Sequence, residues 1–193
     1  FGMARPIEFD TGAARDSAML LFWRKGYLAS SLPELLEEMG ISRGSFYAAF
    51  RDKRSLFVEC LDLFAERTHE MLARGRARLA PMDALRRFLE RNFVRSDDRQ
   101  SGNGCMLVNT VIELAGADDE LSARASAHLQ DLQAEFEACL LESGLPKARS
   151  AELAAFLMTL NEGLRVSSRR NVPRRQQLER IDTAFRLIRS AAA

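Results

Sequence analysis

The 193-residue chain is 47% hydrophobic and 28% charged, the balance of a soluble globular protein long enough to bury a sizeable core. No apolar run approaches ~20 residues, which excludes a membrane-spanning helix, and the start is short and polar, without the apolar core of a secretory signal. The net charge of +1 gives no general bias toward nucleic acid.

Met3 to Asp10 reads as a short arm. Thr11 to Lys25 then has Ala14, Ala18, Leu21 and Phe22 at helical spacing, and Gly26 ends it. In SLPELLEEMG, Leu32, Leu35, Leu36 and Met39 make an apolar stripe. Ser31 and Glu34 form a capping box before it, Pro33 falls in the first turn, and Gly40 supplies a left-handed exit. Ser42 caps a second short helix, Arg43 to Phe50, with Phe46 and Phe50 inward. Two helices joined by so short a turn read as a helix-turn-helix, whose second helix is the one placed in the major groove. That helix leaves Arg43, Gly44, Ser45, Tyr47 and Ala48 facing outward. Arg43 is a planar fork suited to guanine edges or phosphate. Gly44 permits close backbone approach, and Ser45 and Tyr47 offer hydroxyls. Between Ile41 and Arg54 the charges are Arg43, Arg51, Lys53 and Arg54 against Asp52, a balance of 4 − 1 = +3. A patch of that size suffices for phosphate contact.

Asp52 caps a long fourth helix, about Lys53 to Arg78, with a stripe from Leu56 and Phe57 to Met71 and Leu72. Pro81 opens a helix to about Arg95, with Leu85, Phe88, Leu89 and Phe93 inward. Ser96 to Gly104 is a polar loop. Helices follow over Cys105 to Ala115, Asp118 to Ser143, Lys147 to Arg169 and Pro173 to about Ser190. No strand signal or internal repeat interrupts them. The expected fold is all-α with about nine helices. Three of them form an N-terminal helix-turn-helix domain over residues 1–52. A long fourth helix joins that domain to a C-terminal helical domain over 53–193.

The order F-W-R-K-G-Y-L-A-S-S-L, then M-G-I-S-R-G-S-F-Y-A-A-F, then R-D-K-R-S-L-F closely resembles the DNA-binding domain of the TetR/AcrR family of bacterial transcriptional regulators. The match covers roughly the first third of the chain. Aligned with the family are the Gly26-Tyr27 turn, the Ser31 cap, the recognition segment from Gly40 to Tyr47, and Lys53 opening the fourth helix. The chain departs from the family at Leu35 and Leu36, where Ile-Ala is frequent, and at Arg54, where an acidic residue is frequent. The resemblance implies operator DNA as a partner, held by Ser31, Arg43, Gly44, Ser45, Tyr47, Ala48 and Lys53. It also implies repression relieved by a small-molecule effector.

The last helix shows Leu178, Ile181, Phe185 and Ile188 at heptad-like steps, and the helix before it carries Ala154 and Met158 among small residues. The C-terminal segment resembles the family region where two helices from each subunit form a four-helix interface, so these six residues are the expected homodimer seam. Two-fold operators with half-sites ~34–36 Å apart fit such a dimer. Candidate effector-pocket residues are Phe88, Phe93, Cys105, Met106, Asn109, Glu113, Met158, Asn161 and Glu162, the polar ones because they interrupt apolar helices. Cys105 follows Ser-Gly-Asn-Gly at a helix start, where the dipole favours thiolate. Its surroundings, G-C-M-L-V-N-T-V-I-E-L, resemble a branch of the family that includes electrophile-responsive repressors, so an electrophile or oxidant is one expected effector.

Cys60, Cys105 and Cys139 have no metal-type spacing, and an odd count argues for reduced thiols and a cytoplasmic setting. No metal or cofactor is implied. Two rival functions are visible. Gly40-Ile41-Ser42-Arg43-Gly44 matches a hydrolase nucleophile elbow, with Asp118 and His128 following in order. That motif needs a preceding strand, however, and here a capped helix precedes it. The other rival is a helical ligand-binding protein that binds no DNA. The expected protein is not an enzyme.

Overall fold

The computed structural model describes residues 9–93 and 101–190, apart from the side chains of Asn92, Phe93 and Ser101. The arm before Phe9, most of the polar loop and the Phe93 side chain lie outside the described residues. Among the described residues there are nine α-helices, one 3-10 turn and no strand.

Helix α1 (Thr11–Lys25) starts where Asp10 Oδ1 accepts the Ala13 N–H at 3.0 Å and stops at Gly26, φ 89°. Helices α2 (Leu32–Met39) and α3 (Arg43–Phe50) follow, then α4 (Lys53–Arg76). Aromatic rings fill the space among these helices. Phe22 meets Phe57 edge-on at 4.9 Å, Trp23 meets Phe64 at 5.2 Å, and Phe46 lies 5.9 Å from Phe50. Leu35, Phe46, Leu56 and Cys60 are fully buried beside them. Burial pushes the Cys60 thiol far above its ordinary pKa, so it is an inert core side chain.

Residues through Phe64 form one compact unit and those from Ala65 a second. The division therefore falls inside α4, not at its start. The reason is packing: Leu56, Phe57, Cys60 and Phe64 are buried, and Phe57 and Phe64 stack on rings of α1.

The second unit contains α5 (Pro81–Phe93), a 3-10 turn (Ser101–Asn103), α6 (Met106–Leu114), α7 (Asp119–Glu142), α8 (Lys147–Arg169) and α9 (Arg174–Ser190). Its core joins Leu85, Phe88 and Leu89 of α5 to Leu132, Phe136 and Cys139 of α7, Leu153, Leu157 and Met158 of α8, and Ile181, Phe185 and Ile188 of α9. Phe88 and Phe136 pack edge-on at 5.6 Å.

This core corrects the expected dimer seam. Ala154, Met158, Ile181, Phe185 and Ile188 are each at most 3% exposed within the single chain and belong to its own core; Leu178 is half-buried. The heptad-like spacing marks the face by which α9 docks inside its own subunit. What α8 and α9 leave outside is different: Phe156 is 47% exposed and Leu187 58%. These two line an open groove of about 470 Å³ together with Leu160, Gln176, Glu179, Arg180, Thr183 and Ala184.

Candidate nucleic-acid interface

The turn between α2 and α3 is fixed by short-range bonds. Ser31 Oγ accepts the Glu34 N–H at 3.4 Å, while the Ser31 N–H and hydroxyl donate to Glu34 Oε2 at 3.0 and 2.8 Å. Lys25 also donates to Glu34. That bond, then those from Ser31, hold the Glu34 carboxyl down to a pKa of about 2. Gly40 adopts φ 65°, ψ 30°, and its neighbour's amide, Ile41 N–H, reaches back to the Leu36 carbonyl at 3.2 Å. This is a glycine C-cap that turns the chain toward α3.

Ser42 caps α3 by accepting the Ser45 N–H at 3.1 Å. Phe46 and Phe50 are buried beneath the helix. Arg43, Gly44, Tyr47 and Ala48 are exposed and Ser45 is half-buried, which is the outward face expected from the spacing. Tyr47 is braced edge-on against Phe46 at 5.3 Å. A Cβ added at Gly44 would meet only Ser42 Oγ, at an ordinary 3.8 Å. The fold itself does not demand glycine there; its effect is to leave the outer surface of the helix bare.

Arg51 ends α3 with φ 59°, ψ −64°, and the Asp52 N–H donates to the Phe50 carbonyl at 2.6 Å. This is a γ-turn of the strained, positive-φ kind. Asp52 then caps α4, its Oδ1 accepting the Ser55 N–H at 2.7 Å, and the Ser55 bonds lower its pKa. Lys53 begins α4 half-buried, its Nζ 4.4 Å from the centre of the Tyr27 ring. The N-terminal unit thus carries exposed groups on α3, and α2, α3 and α4 each start at a side-chain cap. Oriented amides and positive helix ends of this kind bind phosphate. Sequence reasoning gave Arg51 no role beyond its place in the basic patch, and the Tyr27 ring none. Arg51 stood in the basic run, but a γ-turn has no sequence signature.

The candidate effector residues are spread over α5, α6 and α8. Phe88 and Met158 are core. Met106 is buried on α6. Asn109 ties down the preceding turn, its Nδ2 donating to the Asn103 carbonyl at 2.8 Å, and Glu113 is half-buried. Cys105 is buried and sits one residue before α6, at the N-cap, without a side-chain capping bond. Arg165 of α8 is buried and donates to the Gly104 carbonyl at 3.5 Å. Burial pushes its pKa down and the neighbouring Cys105 pushes it back up. One turn earlier, Asn161 is 1% exposed and its Oδ1 has no hydrogen-bond partner among the described residues. Burial raises the Glu162 pKa.

The hydrolase elements serve other ends. Ser42 follows a helix and glycine turn and caps α3, and Asp118 caps α7 by accepting the Leu121 N–H at 3.1 Å.

The fold and this face define a helix-turn-helix protein with a second helical unit. Residues 15–60 match the family model for bacterial regulatory proteins of the tetR family, and residues 81–183 match that for the LmrA/YxaF-like transcriptional regulator C-terminal domain. The Escherichia coli K12 HTH-type transcriptional repressor ComR is 28% identical over 201 residues, covering 95% of this chain and 90% of its own. A cysteine mutant of the TetR family regulator CifR, solved with 26-bp double-strand operator DNA, is 28% identical with a TM-score of 0.77, covering 94% of this chain and 98% of its own. A TetR-family regulator from Streptomyces coelicolor, 17% identical, shares the fold with a TM-score of 0.82 over 93% of this chain and 94% of its own. The chain belongs to the TetR family of bacterial transcriptional regulators. It is a DNA-binding regulator and not an enzyme.

Proposed function

We propose that the protein is a homodimeric repressor that binds a two-fold operator through α3 and releases it when a small molecule enters the C-terminal unit. The observation that carries this reading is the exposed face of α3, held rigid by caps at both neighbouring turns. Arg43, Ser45 and Ala48 face base edges. Ser31, Tyr47 and Lys53 hold phosphates, with Gly44 letting the backbone approach. The name of ComR as a repressor and the operator complex of CifR support the assignment.

Dimerisation is supported by the apolar groove on α8 and α9, where Phe156 and Leu187 remain exposed. A single short helix buries too little for specific DNA binding, whereas two heads spaced one turn apart suffice. Helix α4 belongs to both units and is the natural lever between them. A coupling of ~1–3 kcal/mol changes operator affinity 5- to 150-fold. A regulator of this kind works beside the chromosome, in the cytoplasm.

The effector site takes in the polar positions of α6 and α8. Asn161 leaves a buried acceptor open there, which suits a ligand that donates a hydrogen bond. A second reading, an electrophile or oxidant acting on Cys105, is favoured by that residue's place at the α6 N-terminus beside the Arg165 charge. In that case Cys105→Ser keeps operator binding and loses the response.

The test of the whole reading is selection of bound duplexes from a random DNA pool at two salt concentrations. An enriched palindrome supports it. Weak binding with no enriched sequence, vanishing as salt rises, overturns it.

A further inference from the structure

We propose that Lys25 is a further phosphate contact and that Glu34 positions it: one carboxylate holds the Ser31 cap by one oxygen and the Lys25 ammonium by the other. The inference rests on the reading of Ser31 as a residue that meets the DNA backbone.

Helix α2 opens with few groups to offer an anion. Pro33 has no N–H, and the Glu34 amide goes to Ser31 Oγ at 3.4 Å. The Ser31 hydroxyl and amide both donate to Glu34 Oε2, at 2.8 and 3.0 Å. A phosphate that approaches Ser31 therefore meets an ionised carboxylate, and the two anions repel one another. Lys25 offsets that repulsion. It is the exposed last residue of α1, and its ammonium donates to Glu34 Oε1, the oxygen that Ser31 leaves. The charges of the pair cancel, and the ammonium stands beside the Ser31 cap, separated from it by one carboxylate. An ammonium has three N–H donors, and Glu34 is the partner of Lys25 among the described residues. One cation is thus shared between the carboxylate and a phosphate oxygen. The neighbouring Arg24 is placed differently. It pairs with Glu38 at 2.7 Å, one turn farther along α2 and away from the cap, so removal of its charge is a matched control.

The test reads salt dependence, which a residue that only braces the cap would not move. In the full-length chain, affinity for a random-sequence duplex is measured between about 50 and about 200 mM salt, where each phosphate contact contributes about 0.9 to the slope of log affinity against log salt. Lys25→Gln is expected to lower the slope by about that amount, Lys25→Arg to retain it, and Arg24→Gln to leave it in place. An unchanged slope in Lys25→Gln overturns the proposal, even with weaker binding. An equal change in Arg24→Gln does so too, since the effect is then one of net charge. In a Glu34→Gln background the effect of Lys25→Gln is expected to shrink; an effect of the same size there removes Glu34 as the positioning residue. Ser31→Asp keeps a good N-cap and adds a charge where the phosphate is read. If it binds the duplex as tightly as the parent, the Ser31 reading fails and this inference with it. If it binds more weakly while the Lys25→Gln slope is unchanged, this inference fails alone.

Discussion

The hydroxyls of Ser42 and Ser45 lie 3.0 Å apart at the start of α3, and Ser42 also accepts the Ser45 amide at 3.1 Å. The residue that caps the helix therefore orients the one expected to face DNA. Removing either hydroxyl separates the two roles. Ser42→Ala is expected to lower stability by about 1 kcal/mol, the usual cost of a lost N-cap, as measured by urea unfolding. Ser45→Ala keeps the cap and should unfold at the same urea concentration, but with altered operator preference in the duplex selection. Equal stability losses for both would show that Ser45 is part of the cap alone.

Arg43 stands exposed one position after that cap. If it reads a guanine edge, Arg43→Ala is expected to cost ~1–3 kcal/mol on the selected operator and to relax preference at one position of each half-site. Arg43→Lys should recover charge but not the two-pronged geometry, so its selected sequence should be relaxed as well. Titration against the operator and single-base variants measures both. A uniform loss over all sequences assigns Arg43 to phosphate.

The helix-turn-helix was legible because its signals are local. Ser31 and Glu34, Gly40, and Ser42 each act within a few residues, and each does in the fold what its spacing implied. The last helix misled for the opposite reason. Steps of three and four from Leu178 to Ile188 identify an apolar face, but periodicity does not say whether that face meets its own chain or another. Here its own α5, α7 and α8 cover Ile181, Phe185 and Ile188. Exposed Leu187 and Phe156 fall outside the stripe and so carried no signal. The pairing of Tyr27 with Lys53, 26 residues apart in sequence, depends on how α1 and α4 pack, which no local pattern encodes. The candidate effector residues carried the weakest signal, since the same apolar side chains serve a pocket or a core, and Phe88 and Met158 lie in the core of the second unit.

That difference on α9 separates stability from assembly. Phe185 is core, and Phe185→Ala is expected to destabilise the chain by ~3–5 kcal/mol. Leu187 is 58% exposed, and Leu187→Glu should leave the fold of the subunit intact while placing a charge in the groove with Phe156. If this groove meets a second copy, Leu187→Glu converts dimer to monomer in sedimentation and abolishes tight operator binding. A dimer that survives the substitution removes the groove from the interface.

Glu34 links the cap of α2 to pH. Its pKa in the folded chain is about 2, against an ordinary 4.5, mainly through the Lys25 bond and then the Ser31 bonds. A carboxyl lowered on folding contributes stability that is fully present above about pH 4.5 and is lost as pH falls through about 2. Glu34→Gln cannot make the charged bonds, so its contribution is missing at neutral pH and no longer varies on acidification. Melting temperatures of the two proteins should therefore differ at pH 7 and converge toward pH 2. Parallel curves over that range would place the acid sensitivity elsewhere.

The γ-turn at Arg51 makes the joint between α3 and α4 a strained one. A side chain at φ 59°, ψ −64° costs about 1–3 kcal/mol relative to relaxed backbone. Glycine adopts that region freely but loses about 0.5–1 kcal/mol more on folding through its unfolded-chain entropy. The balance favours glycine, so Arg51→Gly is expected to stabilise the fold by about 1 kcal/mol, read as a higher urea midpoint at unchanged slope. The same change removes a cation from the exposed run beside α3. DNA binding should then weaken evenly over sequences, with a shallower dependence on salt, if Arg51 contributes to phosphate attraction. A more stable protein with unaltered salt dependence would show that Arg51 is tolerated strain with no part in DNA binding. A less stable one would show that the arginine side chain itself holds the turn.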